Sequence, residues 1–210
     1  MFCLAGSTLF ATSPAKAVNC FDDIATIQDL VTNGSCELRG VTLTYIPTVT
    51  GFALTDNISI TATPPGLGPE PATNLLIGIQ PITPFSSSGV FKYNLTAPSG
   101  KFITDYTSAI QSSENGGNNT ATFNLTGAAG TAMATYVPVN AAQGATKVNT
   151  NYVTTDNFTS QVSVTQGGIS QFNASYSFRD IPPAPGPLPL VGLGIALGYS
   201  RKLRKRIAAS

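Results

Sequence analysis

Alternation of apolar and polar positions runs through most of the chain between Leu38 and Phe178. Eight segments carry it: VTLTYI at 41–46, ISITAT at 58–63, LLIGIQ at 75–80, VFKYNLTA at 90–97, ATFNLTG at 121–127, TAMATYVPV at 131–139, TSQVSVTQ at 159–166 and SQFNASYSF at 170–178. Successive side chains of an extended strand point to opposite faces, so a period of two predicts strands with one buried face. The runs are separated by Gly, Pro, Asn and Ser clusters, the punctuation of turns. Together they predict an all-β fold, an antiparallel β-sandwich of the jelly-roll or Ig-like kind, spanning residues 18–180.

One stretch departs from this period. Ile24, Ile27, Leu30 and Val31 fall at helical spacing, with Asp22 or Asp23 placed to cap the start and Gly34 to end it. A single short helix is expected there. The clearest turn signal is Gly167-Gly168, between TSQVSVTQ and ISQFNASYSF, because two glycines tolerate the positive φ that a two-residue hairpin turn demands. ENGGNN at 114–119 reads as a loop, and TPPGLGPEPATN at 63–74 as a proline-rich surface loop. FKYNLTA, ATFNLTG and SQFNASY share an aromatic residue with Asn one or two places on, which suggests related strands.

Composition adjusts the picture more than it enlarges it. Only 10% of the 210 residues are charged, and His and Trp are absent. From residue 18 to residue 200 the bases are Arg39, Lys92, Lys101, Lys147 and Arg179 against all ten carboxylates, a net charge of −5. Nucleic-acid binding depends on basic side chains that displace phosphate counterions, so no nucleic-acid partner is expected.

The ends of the chain read as routing segments. Residues 1–17 contain an apolar stretch followed by Ala15-Lys16-Ala17, the small-x-small pattern of a signal-peptidase site, which predicts a mature N-terminus at Val18. The basic region usual at the front of such signals is absent, and an apolar N-terminal strand is the other reading of this segment. Export to an oxidising compartment suits the pair Cys20 and Cys36, expected to form a disulfide around the helix; two free buried thiols are the alternative. At the other end, prolines from 182 to 189 make an extended linker, and Leu188 to Tyr199 forms a short apolar helix candidate. Arg201, Lys202, Arg204, Lys205 and Arg206 follow as a basic stop that would stay cytoplasmic. A permanent span needs about 20 apolar residues, so this proline-prefaced run reads as a signal to be processed, inserted only transiently in the plasma membrane.

The order motif, short apolar helix and basic cluster resembles the PEP-CTERM sorting signals of exported bacterial proteins, and GPLPLVGLGIALGYSRKLRKRI is similar to the form common in cyanobacteria. Pro183, Ala184, Pro185, Gly186 and Pro187 stand where the recognition motif would be, with Pro-Ala-Pro in place of Pro-Glu-Pro. IQDLVTNGSCELRGVTLTY also resembles the N-terminal part of secreted PEP-CTERM domains. The resemblance implies a secreted or cell-surface protein linked to the envelope or exopolysaccharide matrix, with an exosortase-like processing enzyme as transient partner, and no particular catalysis. A sortase reading of LPLVG at 188–192 ranks below it, because the threonine at the cleavage point is missing.

Chemistry is sparse. Without His, Ser-His-Asp and Cys-His arrangements are excluded and the commonest general base is gone. Asp22, Asp23, Asp56, Asp105, Glu114 and Asp156 fall in unlike contexts, so a hydrolytic carboxylate pair is not expected. TDN at 55–57 and at 155–157 could offer hard oxygen ligands to calcium, but Asx-turns are the stronger reading. No catalytic residue, cofactor or metal site is therefore expected. The leading reading is a non-enzymatic surface protein touching polysaccharide or neighbouring surface proteins. A membrane-anchored carbohydrate-binding module is the alternative, with Tyr45, Tyr93, Tyr106, Tyr136, Tyr152 and Tyr176 as candidate stacking rings.

Overall fold

The computed structural model describes residues 18–64, 70–110, 120–137, 140–143 and 146–180, which form one short helix and twelve strands. The helix α1 (Ile27–Asn33) is followed by β1 (Ser35–Leu38), β2 (Val41–Thr50), β3 (Asn57–Thr63), β4 (Asn74–Gln80), β5 (Ser88–Thr96) and β6 (Lys101–Ile110). Then come β7 (Thr120–Gly127), β8 (Gly130–Val137), β9 (Asn140–Gln143), β10 (Lys147–Val153), β11 (Thr155–Gln166) and β12 (Phe172–Asp180). A seven-stranded sheet in the order β1-β2-β5-β11-β7-β8-β9 packs on a five-stranded sheet in the order β10-β6-β12-β4-β3. Neighbouring strands pair antiparallel in both sheets. The β-sandwich is thus present, with all eight anticipated strands in it.

Two local expectations are corrected. Gly167-Gly168 does not close a hairpin: β11 pairs with β5 and β7, whereas β12 pairs with β4 and β6 in the opposite sheet. The glycines turn the chain from one sheet to the other, Gly167 at φ 79°, and the corner is fixed by reciprocal backbone hydrogen bonds between Phe85 and Ile169 of 2.9 and 3.0 Å. Gly167 alone takes a positive φ in this turn, and the apolar faces of the flanking strands decide that each joins a different layer. The hairpin turn with positive φ at both positions lies elsewhere, at Arg39 (φ 51°) and Gly40 (φ 77°) between β1 and β2.

The second correction is the helix start. Thr26, not Asp22 or Asp23, caps α1: its Oγ1 accepts from the Asp29 amide at 3.2 Å, and Asp29 Oδ2 accepts from the Thr26 amide at 2.8 Å. This reciprocal capping box satisfies two amide donors at once, which an aspartate further upstream cannot do. The Thr26 hydroxyl, donating to Asp29 Oδ2 at 2.8 Å, and then the Thr26 and Ala25 amides hold the Asp29 carboxyl below its ordinary pKa. Gly34 ends the helix as anticipated, its amide donating to Leu30 O at 2.9 Å. The Cys20–Cys36 disulfide is formed, joining the segment before α1 to β1.

The core lies between the sheets and is unusually rich in rings. Phe91 and Tyr93 of β5 and Phe158 of β11 face Tyr106 of β6 and Phe172 and Tyr176 of β12, all buried. Phe158 meets Tyr106 and Tyr176 edge-on, with centroids 5.0 and 4.8 Å apart. Tyr93 and Tyr176 share a hydroxyl–hydroxyl hydrogen bond across the layers, with Ser160 beside them. The aromatic–Asn likeness noted above covers two roles: Tyr93, Phe123 and Phe172 are all buried, but Asn94 and Asn124 alternate to the half-exposed face whereas Asn173 is itself buried.

Residues 1–17 with Ala15 and Ala17, the loop at 114–119, the motif at 183–187, the apolar run at 188–199 and the basic cluster at 201–206 lie outside the described residues. Among the described residues no helix is long and apolar enough to cross a membrane.

Candidate functional site

Thr104 is where β6 loses register with both of its neighbours. On one side Ser177 faces Asp105 and Phe178 faces Ile103, leaving Thr104 unopposed. On the other side Asn149 faces Asp105 and Val153 faces Ile103, so residues 150–152 of β10 stand opposite Thr104 alone. Bulges of this kind bend a strand and re-aim its side chains, and they recur beside functional sites. Here they open a cleft of about 270 Å³, lined by Thr104, Asp105, Lys147, Asn149, Thr150 and Tyr152, with Arg179 on its wall.

The floor of the cleft is fully organised. Ser177 Oγ donates to Asp105 Oδ1 at 2.8 Å, while Thr104 Oγ1 and Lys147 Nζ both reach Oδ2 at 3.1 Å. Burial raises the Asp105 pKa, but the hydrogen bonds from Ser177 and Lys147 and the lysine charge outweigh it and hold the carboxyl below its ordinary value. It is therefore ionised at neutral pH and has no proton to give a substrate. Thr150 is buried and donates to the Ile103 carbonyl beside the bulge. The half-exposed Lys147 ammonium is the part of this network that reaches solvent.

Tyr152 stands out in the same bulge. Its backbone adopts φ 53°, a left-handed conformation that is uncommon for a bulky side chain, and the residue is 51% exposed. Such a conformation costs about 1–3 kcal/mol and persists only where the surroundings impose it. A second cleft of about 350 Å³ adjoins the first, lined by Thr73, Asn74, Lys101, Ser177, Phe178 and Asp180, and Arg179 is shared by the two. Lys101 pairs with Asp180 there at 3.1 Å.

Of the six tyrosines expected as stacking rings, Tyr93, Tyr106 and Tyr176 are core residues, and Tyr45 and Tyr136 are half-buried. Tyr152 is the exposed one. Tyr106 instead pins the β7–β8 turn, donating to Gly130 O at 2.6 Å and accepting from the Gly127 amide at 3.2 Å. The other carboxylates hold backbone: Asp56 takes the amides of Ala53 and Ile82, at 2.9 and 3.1 Å, and Asp156 those of Ala128 and Asn157. Neither makes the bond of an Asx-turn to the amide two residues on: Asp56 reaches back to Ala53 and across to Ile82, and Asp156 reaches the next residue, Asn157, and the distant Ala128. Among the described residues no three His, Cys, Asp or Glu side chains group so as to hold a metal ion.

Thr104, Lys147, Asn149, Thr150 and Arg179 were not legible as site residues in the sequence. The period-two pattern is blurred by the bulges that build the cleft, so KFITDYTSAI at 101–110 and KVNTNYV at 147–153 carry no clear strand signal.

No family model matches the chain, and no curated protein matches it. Among solved structures, TmCBM61 in complex with beta-1,4-galactotriose is similar at a TM-score of 0.28 and 9% identity, over 78% of this chain and 99% of that one. A likeness at that level carries no weight for fold or ligand.

Proposed function

We propose that this is an exported, non-catalytic cell-surface protein whose β-sandwich binds polysaccharide of the envelope or matrix in the bulged cleft on the five-stranded sheet. The observation that carries this is the exposed Tyr152 ring, held in a left-handed bulge beside fixed donors and acceptors. A sugar ring presents C–H faces that pack on an aromatic ring, and hydroxyls at its rim that match Asn, Thr and Lys partners. The Cys20–Cys36 bridge supports an oxidising, extracytoplasmic setting.

The test is affinity electrophoresis of the full chain in gels containing soluble neutral polysaccharides such as galactan, xylan and dextran. Retardation by at least one polymer is expected. Tyr152→Ala should weaken that binding about tenfold, equivalent to about 1.4 kcal/mol, without changing the thermal midpoint by more than a degree or two. Unretarded migration in all gels would sink the reading.

Sorting through the tail is part of the same proposal. Intact mass of the protein from membrane and extracellular fractions of its own host should show loss of residues 1–17 and of everything after the 183–187 motif. A membrane-bound species still ending at Ser210 would make the tail a plain anchor and favour the anchored binding-module reading.

A further inference from the structure

Arg179 is the charge that the two clefts leave unspent. Each lysine beside it has a carboxylate of its own: Lys147 pairs with Asp105, and Lys101 with Asp180. The Arg179 side chain makes no hydrogen bond or ion pair among the described residues, although it lines both clefts. Together the two clefts hold three cations against two carboxylates, in a body whose overall charge is −5. Arg179 is exposed, and its guanidinium offers a planar fork of donors that matches a carboxylate or sulfate in two parallel hydrogen bonds. Arg179 and Tyr152 line the same cleft.

We propose that the cleft selects acidic glycans, with Arg179 as the anchor for a carboxylate or sulfate on the sugar next to the one stacked on Tyr152. This rests on the polysaccharide reading above. The ion pairs on either side have a positive role in it: by occupying Lys101 and Lys147 they leave one defined anion position instead of a diffuse basic patch. A net-negative body then disfavours anionic polymer everywhere except at this point.

The experiment compares two matched pairs of polymers with the full chain: polygalacturonate against the same polymer methyl-esterified, and dextran sulfate against dextran. The charged member of at least one pair should bind at least tenfold more tightly, and the pair that shows the difference identifies the anion. Arg179→Gln should abolish that preference, Arg179→Lys should restore part of it, and added salt should weaken it. Lys92→Gln removes the other cation without a partner among the described residues, on β5 of the opposite sheet, and should leave the preference intact. Equal binding of charged and neutral members would overturn the acidic-glycan inference while leaving the polysaccharide reading standing. Loss of preference in Lys92→Gln as much as in Arg179→Gln would also overturn it, by showing bulk charge at work. Binding of none of the four polymers would count against the cleft reading itself, and the inference would fall with it.

Discussion

Replacing Tyr176 with alanine is expected to lower the unfolding free energy by about 4 kcal/mol, in the middle of the range for truncation of a buried ring. Tyr176 is fully buried on β12, edge-on to Phe158 and hydrogen-bonded to Tyr93 across the sandwich. Truncation opens a cavity between the sheets and removes the partner of the Tyr93 hydroxyl, which keeps only Ser160 at 3.4 Å. Tyr176→Phe separates the two effects, and its cost should be about 1 kcal/mol, the worth of one hydrogen bond. Chemical denaturation with tyrosine fluorescence measures both. Equal losses for the two variants would show that the hydroxyl pair, and not the ring, holds the layers together.

The same pair sets an alkaline limit on the fold. Burial pushes the Tyr93 phenol up to about 12, and burial with the neighbouring Tyr93 oxygen pushes Tyr176 well above its ordinary value. A phenol in the unfolded chain ionises near pH 10. The contribution of these groups is therefore fully present below about pH 10 and is lost as the pH rises toward 12. Tyrosinate absorbance should show Tyr93 and Tyr176 ionising only as the protein unfolds.

The second large effect concerns the Cys20–Cys36 bridge. A double Cys20→Ser, Cys36→Ser variant should lose about 3 kcal/mol, the chain-entropy value for a loop of about 15 residues. For a chain of this length that corresponds to a fall in thermal midpoint of roughly 6–12 °C. The bridge also holds residues 18–20 along the outer edge of β1, where Glu37 N donates to Val18 O at 2.8 Å and Cys20 N to Glu37 O at 3.1 Å. Breaking it frees that edge for pairing with other chains, so the variant should aggregate more readily on heating. A loss under about 1 kcal/mol would mean that α1 and these backbone bonds already constrain the loop in the unfolded chain.

How legible the molecule was varies by element. β5, reading SGVFKYNLT, alternates buried and less buried residues along its length, and its assignment follows from period alone. β6 and β10 escape because a bulge shifts the inward face part-way along each strand. The short β1 has its register set by the Arg39-Gly40 turn, a signal weaker than the paired glycines that caught the eye at 167–168. The candidate site inherits this opacity. Asp105 and Tyr152 lie 47 positions apart and were visible only as members of longer sets of carboxylates and tyrosines.

Period, turn residues and the Cys pair are local or nearly local facts, and from them the sequence by itself determined a β-sandwich, its eight main strands, the short helix and the bridge that ties it. Strand order was beyond its reach. β11 lies between β5 and β7, and β12 between β6 and β4, pairings between segments far apart along the chain that depend on how whole faces bury against each other. Only the tertiary structure decided that three tyrosines fill the core, that Tyr152 faces solvent, and that Arg179 is the cation of the two clefts left without a side-chain partner among the described residues. Each of those outcomes turns on which neighbours arrive from other strands, and a period along one strand records which face is buried but not what it is buried against.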